Sequence, residues 1–258
     1  MDTVVENQSN HNIVSVIKES WQLTKGFKWN IMKILLLMCI VLFVVEFSFF
    51  YFFQPGMFHP NSATQSYPTA SPYLVLIVSY VSYLFIIPVT IMGMRRAIGL
   101  TAHAGAAFKA MFNSFSNLIG IIVALMLIAV VFNIFASYMS AHHSFVVIIA
   151  YIIAFLINIL ISLTALFAIL LVITKKVNMF DAISQSFAGV IKHAGFLVGT
   201  YIVLIILLLL SAIPLLIGLV WTTPMSFILF GVLFRNIYGV KNAVSLSNAQ
   251  PGASEYSF

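Results

Sequence analysis

Six long apolar runs, and the placement of every basic residue between them, decide what this chain can become. The runs cover roughly residues 30–53, 73–94, 117–138, 145–173, 195–213 and 215–234. Lys18, Lys25, Lys28 and Lys33 precede or open the first run. Arg95, Arg96 and Lys109 lie between the second and third. Lys175, Lys176 and Lys192 lie between the fourth and fifth, and Arg235 and Lys241 follow the sixth. These are all twelve Lys and Arg of the chain. The other three connections carry none. Translocating Lys and Arg is costly, so basic connections stay cytoplasmic. The alternation predicts an all-α, polytopic membrane protein: six transmembrane helices in three hairpins, with both termini cytoplasmic.

Composition agrees. Charged residues make up 7% of the chain and hydrophobic ones 62%, where a soluble domain carries about 25% charged residues. So few charges could not cover a water-facing surface, which leaves lipid as the main solvent. About 20 helical residues cross a ~30 Å hydrocarbon core. The charge-free stretch 195–234 would reach about 60 Å as one straight helix. Pro214, Gly218 and Pro224 near its middle predict two crossings joined by a turn around 214–221. The first run is longer than a signal-peptide core, and no small-residue cleavage pattern follows it, so it is expected to remain as an anchor. The net charge of +6 flanks membrane spans, which points to anionic lipid headgroups and not to nucleic acid. The single cysteine, Cys39, excludes intrachain disulfides and CxxC motifs.

The basic connections share a lead-in. Phe108-Lys-Ala-Met-Phe-Asn-Ser-Phe115 matches Phe180-Asp-Ala-Ile-Ser-Gln-Ser-Phe187, and residues 17–24 form a weaker copy. Large apolar residues at i, i+3 and i+7 predict one face of a helix. The unit is then an amphipathic cytoplasmic helix followed by a transmembrane hairpin, repeated three times within a single membrane domain, 13–240. Residues 1–12 and 241–258 are expected to be disordered cytoplasmic tails. Trp21 and Trp29 suit one headgroup region; Tyr51, Tyr73, Tyr138 and Trp221 suit an outer aromatic belt.

These lead-ins, with the closing Gly231-Val-Leu-Phe-Arg-Asn-Ile-Tyr-Gly239, resemble a loose group of bacterial six-helix inner-membrane proteins. The group includes the YciC-type family and the membrane domain of some glycerophosphodiester phosphodiesterases. The resemblance covers most of residues 13–240. It implies a fold and a bacterial inner (cytoplasmic) membrane location, but no activity. No soluble domain that could carry the phosphodiesterase reaction lies in these residues, so nothing catalytic carries over.

Glu46 is the one charged residue well inside an apolar run, about 24 Å from the start of its span. An ionised acid at such depth costs about 2.5–3.5 kcal/mol. It must be neutral, face a wet cavity, or bond polar neighbours such as Asn133, Asn158, Ser162 and Tyr51. His59, His142 and His143 fall on the outer side but lack helical metal-site spacing, so no metal site is expected. Gly195-x-x-x-Gly199 and Gly120-x-x-x-Ala124 are expected to serve internal packing. No H-E-x-x-H, G-x-S-x-G or Walker A motif occurs. The reading is a non-enzymatic membrane component without cofactor. Its expected partners are membrane lipids or a membrane-protein partner. Lys25, Lys28, Arg95, Arg96, Lys175, Lys176 and Arg235 are the expected anionic-lipid contacts. The rival is a small transporter or channel with Glu46, Asn133 and Asn158 as an intramembrane proton or cation site.

Overall fold

The computed structural model describes residues 12–53, 72–140, 145–213 and 218–240. Residues 1–11, 54–71, 141–144, 214–217 and 241–258 lie outside the described residues, and with them fall most of the expected tails, part of the expected turn, and His59, His142 and His143. Among the described residues there are nine helices and no strand. They fall into three successive units: α1 (Ile13–Thr24), α2 (Lys28–Phe53) and α3 (Pro72–Ala97); α4 (Ala104–Asn113), α5 (Phe115–Ser140) and α6 (Phe145–Lys175); α7 (Met179–Lys192), α8 (Ala194–Ala212) and α9 (Leu219–Tyr238). Each unit is a short helix followed by a hairpin of two long ones. Five described helices, α2, α3, α6, α8 and α9, are long and apolar enough to cross a membrane. α5 runs 26 residues without a charge, and α4 turns off its start by 79°. The chain is an all-α, multi-pass membrane protein.

Local chemistry sets the boundaries. Asn12 caps α1, its side-chain oxygen accepting from the Val14 amide at 3.0 Å. Gly26, at φ 79°, turns the chain into α2. Pro72 opens α3, where its missing N–H costs nothing. Gly99 at φ 81° closes α3, and the Leu100 amide donates to the Arg95 carbonyl at 2.8 Å. Pro88 and Pro224 lie inside α3 and α9, both of which continue through them.

The core occupies the inner ends of the spans, nearest the basic connections. α3 is buried from Ile87 to Ile98 apart from Arg96, α6 over most of Leu163 to Ile173, and α9 over most of Thr222 to Phe234. The outer part of α2, by contrast, exposes Leu36, Ile40, Phe43 and Phe47, as lipid-facing surface should. α3 and α9 make the most extensive contact, and it depends on two glycines. A Cβ on Gly93 would strike the Phe227 carbonyl. One on Gly231 would lie 2.7 Å from Gly93 O and Met94 Cα. The glycines of the expected small-residue motifs do less: Gly199 and Gly120 face side chains of Ile13 and Met179, and Gly195 faces open space.

Two sequence expectations are corrected. The lead-in copies are not equivalent. α4 ends at Asn113 and Phe115 opens α5, whereas α7 carries its whole copy in one helix. Phe108 packs edge-on against Phe85 at 6.5 Å, while its counterpart Phe180 is 77% exposed. The buried stripe of α7 is the small one, Ala182, Ser186 and Val190, and α1 likewise buries Val16, Ser20 and Thr24. Small residues let these helices lie close to the bundle, while Val14, Trp21 and Phe180 stay exposed. Second, Lys28 stands over the Trp221 ring. A lysine reaches only one side chain's length, so Trp221 lies near the depth of Lys28 and not in the outer belt. α9 packs chiefly against α3 and α1.

Candidate functional site

Two features of the bundle can engage a ligand: the basic inner face and a groove between α3 and α6. The inner face is organised by the closing segment of α9. Phe234 is fully buried, with Phe167 at 6.0 Å and Tyr238 at 4.9 Å between ring centroids. The Tyr238 hydroxyl donates to the Ser186 carbonyl at 3.2 Å. Gly239 takes the left-handed conformation, φ 64°, that ends the helix. Arg235 grips Glu19 of α1 with both nitrogens, at 2.8 and 2.9 Å, and donates to the Ala97 carbonyl at 2.8 Å. One guanidinium thereby joins α9, α1 and the end of α3.

The other arginines also turn inward. Arg95 is buried and its Nε–H donates to the Thr101 carbonyl at 3.0 Å. Arg96 donates to the Leu23 carbonyl at 3.1 Å and lies over the Phe27 ring. A planar fork of donors suits such carbonyl clusters better than an ammonium does. Of the seven bases expected at the lipid, these three arginines bond their own chain and Lys28 covers Trp221. Lys25, Lys175 and Lys176 stand exposed. Beside the exposed lysines the lead-in helices expose large apolar side chains: Val14 and Trp21 on α1, Phe112 on α4, Phe180 and Phe187 on α7.

The groove has a volume of about 350 Å³. α3 contributes Tyr83, Ile86, Ile87 and Thr90; α5 contributes Ile128; α6 contributes Asn158, Ile161, Ser162, Ala165, Leu166 and Ile169. Asn158 and Ser162 are four residues apart, hence on one helix face. A neighbouring cavity of about 210 Å³ shares Ile128, Ile161 and Ala165 and reaches Ile183 and Phe187 of α7.

Of the expected intramembrane trio, Asn158 lines the groove. Glu46 is exposed on α2 between Phe43 and Phe47, and is not part of the lining. Asn133 belongs to α5, and its side chain lies outside the described residues. Among the described residues no three His, Cys, Asp or Glu side chains gather as a metal site. Sequence reasoning missed Tyr83 and Thr90 of the groove and the Glu19–Arg235 pair. The available signal was weak: a tyrosine and a threonine seven apart in an apolar helix, and one acid in the first amphipathic helix. Comparison with family models, curated proteins and solved structures returns no match.

Proposed function

We propose that the protein is a non-enzymatic component of the bacterial inner membrane that acts through anionic lipid at its cytoplasmic face, in kinship with the YciC-type group. The observation carrying this reading is the pairing of exposed lysines with exposed aromatic residues on the short helices. Such helices lie in the headgroup layer, with rings in the acyl boundary and ammonium groups at phosphate depth. Each lysine near an anionic surface contributes about 1 kcal/mol.

Phosphatidylglycerol added to the delipidated full chain should therefore raise its Tm by several degrees more than phosphatidylcholine does. The combined change Lys25→Gln, Lys175→Gln and Lys176→Gln should remove most of that difference. Equal shifts from the two lipids, or an unchanged difference in the variant, would sink the reading.

The rival, a small transporter using Glu46, is favoured by one observation: a groove at membrane depth containing Asn158. Glu46→Gln separates the two. It keeps size and hydrogen bonding and removes the ionisable proton. We expect unchanged stability and no coupled flux in proteoliposomes with either protein. Proton- or cation-coupled flux that Glu46→Gln abolishes, with folding intact, would install the rival instead.

A further inference from the structure

The groove between α3 and α6 has an uneven chemistry along its length. Asn158 lies about 25 Å along α6 from Lys175, and Ile169 about 9 Å. Tyr83, Asn158 and Ser162 gather toward the end far from the lysines. Toward the near end the lining is aliphatic, because the Thr90 hydroxyl is already donated to the Ile86 carbonyl at 2.9 Å. The adjoining cavity continues this apolar floor toward α7. Its one hydroxyl, on Thr164, is donated to the Leu160 carbonyl at 2.8 Å.

Among the described residues, Tyr83, Asn158 and Ser162 make no side-chain hydrogen bond. Lipid tails cannot supply one, and an amide or hydroxyl left unpaired in hydrocarbon costs about 2–7 kcal/mol. Asn158 and Ser162 are exposed along the groove and Tyr83 is half-buried, so a ligand lying there that both donates and accepts would satisfy all three. Among the described residues no charged side chain lines it, so a charged ligand would be desolvated without compensation. Water alone fits poorly. Most of the lining is aliphatic and offers water no hydrogen bond.

We infer that the groove binds a neutral, hydroxyl-bearing lipid with a single acyl chain, such as a monoacylglycerol. Tyr83, Asn158 and Ser162 hold its polar group, and its chain runs between α3 and α6 into the cavity beside α7. The hydroxyls of the lipid and of Tyr83 and Ser162 each donate and accept, and the Asn158 amide donates to an ester carbonyl. The polar end points toward the leaflet opposite the lysines. This site is independent of the anionic-lipid face, and either can fail without the other.

The test uses the full chain in phosphatidylcholine nanodiscs with a diazirine-bearing monoacylglycerol as photolabel. Labelling should saturate and map to α3 and α6. Unlabelled monooleoylglycerol should compete at least ten-fold better than oleate or octadecene, which share its chain but lack a neutral hydroxyl. Asn158→Leu should weaken binding about ten-fold, and Ser162→Ala and Tyr83→Phe severalfold each. Ala165→Phe, which fills the floor, should abolish labelling. Non-saturable labelling, equal competition by octadecene or by oleate, or unchanged affinity in a folded Asn158→Leu protein would each overturn the inference. If Asn158→Leu does not fold, Tyr83→Phe and Ser162→Ala decide alone, since each removes one oxygen; unchanged affinity in both would overturn it.

Discussion

Gly93→Leu should cost the protein more than about 3 kcal/mol and leave little monodisperse material after purification. The first added carbon already meets the Phe227 backbone, whose carbonyl carbon lies 2.6 Å from where it would sit. A backbone cannot rotate aside as a side chain can, so α3 and α9 must separate. Gly231→Leu should do the same from the other helix, because its nearest neighbours are also backbone atoms. Gly105→Leu and Gly195→Leu provide the contrast. A Cβ at either meets nothing within 4 Å, and leucine favours a helix over glycine by nearly 1 kcal/mol. Thermal unfolding of the four variants in one detergent measures the difference. Comparable loss at Gly195 and Gly93 would mean that close helix approach follows the G-x-x-x-G spacing instead of the α3–α9 contact.

Arg235→Ala should release α1 from the inner face. The ion pair is partly open to solvent, with Arg235 15% and Glu19 37% exposed, so alone it contributes about 0–1 kcal/mol. The Ala97 carbonyl at the end of α3 also loses its donor, which adds about 1–3 kcal/mol. Trypsin cleavage after Lys18 and Lys25, both exposed, should then accelerate about ten-fold or more for a loss of 1.4 kcal/mol or above. Arg235→Lys should rescue this in part, because one ammonium cannot serve the carboxylate as a fork and the carbonyl at once. An unchanged cleavage rate in Arg235→Ala would show that packing of Val16, Ser20 and Thr24 holds α1 without the clamp.

The elements were largely legible and their contacts were not. Apolar runs and basic connections mark all six long helices, since length and hydropathy are local properties. The lead-in pattern locates α4 and α7, and its weaker copy at 17–24 locates α1. The break at Ser114 escaped because the two lead-ins read alike, although only the second continues as one helix. The α3–α9 contact escaped because it pairs lone glycines on two distant helices. The groove was half visible. Asn158 and Ser162 stand out in an apolar helix, but nothing local indicates that they face Tyr83 across the bundle and not Glu46. Hydrogen bonds spanning 73, 138 and 216 residues leave no periodic trace.

The Arg235–Glu19 clamp also sets the order in which the chain can mature. A ribosome adding about 5–20 residues per second needs roughly 10–40 s to travel the 216 residues between these partners. Over the last part of that interval the first two units are complete but lack α9, the element that packs against α1 and α3. Insertion therefore runs ahead of assembly. The nascent protein waits as separate hairpins until its last helix arrives to close them together.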